Sequence, residues 1–389
     1  VKFPVTSENL DKVCSAFNVK PMLEISMVIW TTTPWTIPSN VAVCINDSFN
    51  YVLAESSQGN LIVAEDLIDD CSQRWGLDLN VIGSTQGKNL TDISLQHPLY
   101  QRESRVLAGE HVTTENGTGC VHTAPAHGLD DYFICIKNKL ESIKALDNRG
   151  LFKEEFGPLA GLSTKKGDPV VIELLQDAAA LISTKEYEHS YPHCWRHKSP
   201  LIFMSTPQWF ISMKKSGLID GAINSVSQVS WEPEWGAQRI LSMLEDRPDW
   251  CISRQRNWGV PITLIIHHET GEVHPNQNLL FHKIADVIEQ EGIEGWDNLK
   301  LSSLIDDADS YVKVKDTLDV WFDSGVTHMC VLDKLYGADV TADLYLEGSD
   351  QHRGWFQSSL LTGIAINGMP PYRSVLTHGF VVDQEGRKQ

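Results

Sequence analysis

Three consecutive threonines, Thr31, Thr32 and Thr33, stand between an apolar run and two prolines, Pro34 and Pro38. Each hydroxyl both donates and accepts, so together they form a polar comb suited to a phosphate, a ribose or an ester. The same β-branched residues also suit an edge strand running into a proline turn. A second dense stretch, residues 117–131, reads Gly-Thr-Gly-Cys-Val-His-Thr-Ala-Pro-Ala-His-Gly-Leu-Asp-Asp. Gly117 and Gly119 let the backbone approach a ligand closely. Asp130 and Asp131 fall in the first turn of a helix, where the dipole favours carboxylates, so a plain helix-start role competes with a site role. No Ser-His-Asp or Cys-His set is evident, and Cys120 reads as structural.

The elements that must position these residues follow from patterning. Residues 25–29, Ile-Ser-Met-Val-Ile, read as a buried strand. Pro34 and Pro38 then argue against a helix and for an exposed, bent path. From Val28 to about Val121, apolar strands such as 51–54, 61–64 and 105–108 alternate with Gly, Asn and Asp turns, predicting a β-rich, barrel-like domain. Leu129, Phe133, Ile136 and Leu140 then fall on one helical stripe. Beyond about Tyr191 tryptophans and arginine-rich loops become frequent, and residues 267–309 read as a polar, acidic surface insertion. A strand over 343–347, a turn at Gly348, a helix carrying Trp355, Phe356 and Leu360, and a strand over 374–382 make a βαβ unit. That predicts a parallel sheet, and open parallel sheets bind ligands at the carboxyl ends of their strands. Glu347, Gly348, Asp350 and His378 lie at such ends.

At 389 residues the chain is long enough for two or three domains with real cores. Its charge balance is 32 − 51 = −19, which repels phosphate backbones at long range. Any nucleic-acid contact must therefore come from local clusters such as Arg196-His197-Lys198 or Arg254 with Arg256. No apolar run approaches the ~20 residues that span a bilayer. Eight scattered cysteines without a Cys-x-x-Cys pair point to reduced thiols in a cytoplasmic-type compartment. Cys194 and His197 have the spacing to begin a zinc site, but His267, His268 and His274 are only loose partners, and no metal is expected.

Taken together, the two dense stretches resemble the editing domain of class I aminoacyl-tRNA synthetases of the isoleucyl type, including the interval 131 − 122 = 9 between His122 and Asp131. Residues 250–259 (Trp-Cys-Ile-Ser-Arg-Gln-Arg-Asn-Trp-Gly), 316–325 (Asp-Thr-Leu-Asp-Val-Trp-Phe-Asp-Ser-Gly) and 346–356 agree, and the His352-Arg353-Gly354-Trp355 form looks bacterial. Valyl and leucyl relatives carry an arginine after the threonine pair, where this chain has Thr33. The resemblance implies an α/β protein: a β-barrel-like editing domain, 1–193, inserted in a Rossmann-type parallel-sheet catalytic domain whose second half is 194–389. It implies an isoleucine–tRNA ligase with hydrolytic editing of Val-tRNA(Ile), using tRNA(Ile), isoleucine and ATP with Mg2+, in a cytoplasmic monomer. Thr31, Thr32 and Thr33 would hold the terminal adenosine and orient water, and Asn40 would assist at the same end. His122 would line the pocket and exclude the larger side chain, His127 would polarise water or buttress the loop, and Asp131 would hold the α-ammonium. In the other domain, Glu347, Gly348, Asp350 and Gln351 would contact the adenylate and His378 the adenine. Trp258 and Trp355 would wall the side-chain pocket, with core packing as the alternative for both. The family's His-Ile-Gly-His segment is absent, and Gly386-Arg387-Lys388 is followed by Gln389 instead of Met-Ser-Lys-Ser. The expectation is a piece cut at both ends that alone completes editing only. The rival expectations are a non-catalytic tRNA-end-binding remnant and a valyl- or leucyl-type editing domain.

Overall fold

The apolar run 25–29 supplies the centre of a sheet in the computed structural model, which describes residues 1–337 and 340–389. β2 (Ser26–Val28) lies between β1 (Lys2–Pro4), with Phe3 opposite Met27, and β5 (Gly59–Ala64), parallel with Met27 opposite Ile62. All three β2 residues are buried, which is why its sequence, Ser-Met-Val, carries no charged or large polar side chain on either face. β4 (Asn50–Ser56) joins β5 by a two-residue turn whose exit, Gly59, sits at φ +102°, and β6 (Asn80–Gln86) closes that edge. A second sheet has the order β7-β8-β3-β9: β7 (Ser94–Gln96), β8 (Glu103–Ala108), β3 (Ala42–Ile45) and β9 (Val121–Thr123). Single bridges, Val5 to Leu95 and Trp30 to Val121, join the two sheets and give them a barrel-like closure. Phe3, Met27, Ile45, Leu53 and Ile62 are fully enclosed in its core. Each such side chain contributes about 1.5–3 kcal/mol relative to an exposed position.

Two local expectations are corrected. Residues Pro34–Ser39 form a short 3-10 helix, buried from Trp35 onward, rather than an exposed bend. Pro34 opens it, where a missing N–H costs nothing, and the Trp35 N–H donates to Asp168 Oδ1 at 2.8 Å. Asp168 belongs to α4 (Thr164–Asp177), which follows α1 (Leu10–Ala16), α2 (Ile68–Trp75) and α3 (Leu129–Lys137). The α3 helix forms as the stripe predicts, but Leu129 and Phe133 are 69% and 62% exposed. Its inward face carries Asp131, Ile134 and Cys135 instead, because that face meets β3 and the loop after β9.

The chain divides into units Val1–Thr206 and Pro207–Gln389, where the sequence reading places its boundary at 193/194. In the second unit, Ser230–Glu232, Ser374–His378 and Tyr345–Gly348 form a three-stranded parallel sheet with Ser374–His378 in the middle. Helix Trp355–Asn367 connects two of these strands and packs Phe356 and Leu360 against Val375 and Tyr372. The last strand stops at His378, short of the expected Val382, because Val382 instead bridges Lys388 in a turn closed by Asp383 Oδ1. The stretch 267–309 is more than a polar surface insertion. Helices Gln277–Glu291 and Glu294–Asn298 pack with the paired strands Ile265–His267 and Tyr311–Lys313 around Leu280, Ile284 and Trp296. Lys313 Nζ donates to the carbonyls of Trp296, Asp297 and Leu299, capping the negative end of the shorter helix. No helix among the described residues is long and apolar enough to cross a membrane.

Candidate functional site

A cavity of about 370 Å³ opens in the first unit between the threonine segment, the glycine-rich loop and the start of α3. Thr31, Thr32, Thr33, His122, His127 and Asp131 all line it, joined by Thr36, His111 and Asn116. The 3-10 turn places Thr36 one turn beyond Thr33, so their hydroxyls lie 3.4 Å apart and Thr36 Oγ1 donates to the Thr33 carbonyl at 2.8 Å. Thr31 Oγ1 accepts from the Thr33 N–H at 3.1 Å, leaving Thr32 exposed beside them. The comb thus has depth: one hydroxyl outside and three running inward.

β9 carries His122 to the floor of the cavity, opposite Val43 of β3. Its partners fix its tautomer. Asn40 Nδ2 donates to the Ala42 carbonyl at 2.7 Å, which orients the amide, and its second hydrogen reaches His122 Nδ1 at 2.8 Å. His122 Nδ1 is therefore an acceptor, and Nε2–H donates to Thr36 Oγ1 at 2.9 Å. Burial lowers the His122 pKa to about 3, with His127 a lesser cause, so the ring is neutral near pH 7. Asn40 is fully buried behind His122 and does not line the cavity.

Both His127 nitrogens are also engaged: Nδ1–H with the Phe203 carbonyl and Nε2 with Ser39 Oγ, each at 3.0 Å. Its ring stands edge-on to Trp35 at 4.8 Å, and burial lowers its pKa. The geometry is that of a buttress. Of the two helix-start acids, Asp130 is exposed while Asp131 is half-buried, with Oδ2 accepting from the Ala124 N–H at 2.8 Å. Burial pushes the Asp131 carboxyl up, and the Ala124 N–H and His111 pull it back. Its other oxygen has no hydrogen-bond partner among the described residues. Gly119 must be glycine: it sits at φ +72°, and a Cβ there would lie 2.3 Å from the Ala64 Cβ. Tyr51 Oη donates to the Gly119 carbonyl and Arg74 to that of Gly117, holding the loop from beneath.

A neighbouring cavity of about 340 Å³ shares Trp30, Thr31, Thr32 and Gly117 with the first and adds Arg74, Lys185 and Tyr187. Trp30 and Tyr187 meet edge to face at 5.5 Å. Cations and aromatic faces beside a polar pocket suit a nucleotide better than the chain's overall charge does. Thr36, His111 and Asn116 in the first cavity, Arg74, Lys185 and Tyr187 in the second, and Ser39 behind His127 are residues that the sequence reading missed. Thr36 and Ser39 needed the 3-10 turn to be recognised, and nothing in the sequence pattern marks Arg74.

In the second unit, Gly348 pairs with His378 at adjacent strand ends, where Glu347 and Asp350 are exposed. Gln351 is turned to structure, with Oε1 accepting from the Trp355 N–H at 2.9 Å. Trp355, half-buried, stacks on Tyr345 at 3.9 Å and donates to the Ser324 carbonyl. Trp258 is 92% exposed. The matching segments 250–259 and 316–325 meet at Asp319, whose Oδ2 lies 3.0 Å from both Trp250 Nε1 and an Arg254 guanidinium nitrogen. Cys194 Sγ lies 3.4 Å from His197 Nδ1, and no cluster of three or more His, Cys, Asp or Glu able to hold a metal occurs among the described residues.

Comparisons with known proteins agree on the family. The chain is 49% identical over 398 residues to the isoleucine–tRNA ligase of Idiomarina loihiensis, covering all of this chain and 42% of that protein. It is 53% identical over 366 residues to that of Coxiella burnetii strain Dugway 5J108-111, covering 92% of this chain and 39% of that protein. The chain thus spans about two-fifths of the length of these curated relatives. The Plasmodium knowlesi cytosolic leucyl-tRNA synthetase editing domain overlays 46% of this chain and 93% of its own at 12% identity and TM-score 0.38, too loose a superposition to define a shared fold. The family model for class I tRNA synthetases (I, L, M and V) matches residues 23–389, and the chain belongs to that family.

Proposed function

We propose that the cavity of the first unit hydrolyses valine esterified to tRNA(Ile), as the editing site of a cytoplasmic isoleucine–tRNA ligase. In this reading 1–193 is the editing domain and 194–389 the second half of a Rossmann-type catalytic domain that binds ATP and isoleucine. The observation that carries it is the cavity's composition: an inward comb of threonine hydroxyls, a half-buried carboxylate and a neutral histidine. Asp131 pairs with the α-ammonium through its open oxygen, which fixes the ester over Thr31 and Thr33. The threonine hydroxyls hold the terminal ribose and the attacking water, so positioning rather than a protein nucleophile lowers the barrier. His122, neutral and bonded at both nitrogens, forms a wall of the side-chain pocket and transfers no proton. The terminal adenosine occupies the adjoining cavity, with Arg74 and Lys185 near its phosphate.

A second site is physically warranted. A pocket for isoleucine separates valine by the energy of one methylene, about 1–3 kcal/mol, the limit for which isoleucyl enzymes are the standard illustration. A cavity that admits valine and excludes isoleucine makes up the difference. The test is deacylation of Val-tRNA(Ile) against Ile-tRNA(Ile) by the chain and by Asp131→Ala. Selective loss of the valyl ester, abolished in the variant, supports the reading. Absence of turnover by a folded chain that still binds the tRNA end leaves a binding unit instead.

A further inference from the structure

We propose that Ser104 is a positioning residue for this cavity: its hydroxyl anchors a directed hydrogen-bond relay that turns the Thr33 proton inward and presents the Thr33 oxygen as an acceptor. The inference rests on the editing reading for its consequence, though not for its geometry. Ser104 lies on β8, is fully buried, and donates from Oγ to Asn40 Oδ1 at 2.7 Å. The Ala42 carbonyl can only accept, so the Asn40 nitrogen must face it, and the amide oxygen is left facing Ser104. The second amide hydrogen goes to His122 Nδ1, which places the ring proton on Nε2, directed at Thr36 Oγ1. Thr36 has a single proton, and it is spent on the Thr33 carbonyl. Between the two hydroxyls, 3.4 Å apart, a bond can run only from Thr33 to Thr36; Thr31 Oγ1, also 3.4 Å from Thr33 Oγ1, is the second acceptor within the comb for the same proton.

Every link from Ser104 to Thr33 therefore has one allowed direction. At the cavity end, Thr33 offers lone pairs rather than a proton. That polarity suits a group that arrives with hydrogens to donate, either an attacking water or the α-ammonium of the esterified amino acid. Reversed, the same hydroxyl would turn its proton to the cavity and donate to the ester instead of accepting from the incoming group. Ser104 touches none of the cavity surface; it acts through Asn40 and His122. Removing its hydroxyl leaves a buried amide oxygen without its donor, and because the Ala42 carbonyl forbids a simple flip, the orphan is relieved by displacing the amide. That displacement loosens its bond to His122 Nδ1 and releases the ring from its single tautomer.

The experiment is imidazole 15N spectroscopy of the chain, wild type, Ser104→Ala and Ser104→Thr, with Val-tRNA(Ile) deacylation measured in parallel. In the wild type His122 should show a protonated Nε2 and a bare Nδ1. In Ser104→Ala it should show mixed tautomers while His97 stays unchanged, and kcat/KM for the valyl ester should fall about tenfold. Ser104→Thr restores both readouts; if the added methyl prevents folding, Ser104→Cys, with a weaker donor, gives intermediate values. A folded Ser104→Ala protein with His122 still locked overturns the relay, whatever its turnover. If the wild type hydrolyses no ester but the tautomers mix on loss of Ser104, the relay stands and the editing reading fails.

Discussion

Three histidines of the first unit, His97, His122 and His127, have pKa values lowered by burial and make it acid-sensitive, and the first two set a lower bound on the effect. His97 and His122 are 2% and 8% exposed, and burial lowers both pKa values from 6.5 to about 3. His97 Nε2–H donates to the Ile37 carbonyl while Nδ1 accepts the N–H groups of Leu99 and Tyr100, so a second proton has no place in the fold. Because the folded pKa lies below the unfolded one, the unfolded chain binds more protons between pH 6.5 and 3. Stability is then complete above pH 6.5 and falls as pH drops through that window. At pH 5 the unfolded histidine lies 6.5 − 5 = 1.5 units below its pKa, which at 1.36 kcal/mol per unit is about 2 kcal/mol for each ring and roughly 4 kcal/mol for the pair. Urea titrations at pH 7.5 and 5.0, followed by the methyl resonances of the buried Leu53 and Ile62, should show the unfolding free energy of the first unit falling by at least that amount, with the midpoint shifting by that energy divided by the m-value. His97→Gln should remove about 2 kcal/mol of the pH dependence, with His122 and His127 carrying the rest. A midpoint that does not move, or imidazole resonances of folded His97 and His122 that titrate near pH 6.5, would refute the reasoning.

Gly119→Ala should destabilise the first unit by about 3 kcal/mol, since strain at φ +72° adds to a 2.3 Å contact with Ala64. Gly76→Ala, at φ +64° with open space around it, should cost only about 1 kcal/mol in the same urea assay. Asp168→Ala leaves the Trp35 N–H without its acceptor and should cost about 1 kcal/mol, with faster hydrogen exchange confined to Pro34–Ser39 and its neighbours. Asp319→Asn should lower the stability of the second unit by about 2 kcal/mol through loss of the charged bond to the half-exposed Arg254, leaving the Leu53 and Ile62 resonances of the first unit unaffected.

What the sequence makes legible here is what it holds locally. Residues 25–29 announce a doubly buried strand because every side chain in it is apolar or small, and the cavity gathers Thr31, Thr33, His122 and Asp131 from two short stretches that could be read as units. The errors arise where a local rule meets a tertiary partner. Two prolines argue against a helix only until Asp168, 133 residues beyond Trp35, caps the turn they sit in. The apolar stripe of α3 argues for an inward Phe133 only until Asp131, three residues from Ile134 and four from Cys135, is drawn in by the Ala124 N–H and turns the stripe outward. The residues behind the cavity are harder still. Ser104 enters only through the pairing of β8 with β3, which brings Arg105 opposite Ala42 and so sets Ser104 against Asn40, 64 residues earlier in the chain. Several side chains that line the cavity cluster in recognisable words of sequence, whereas those that fix a proton on one atom of a histidine are scattered by the register of the sheet. That division explains why much of the lining of the cavity could be read from the chain alone, while the direction of its hydrogen bonds could not.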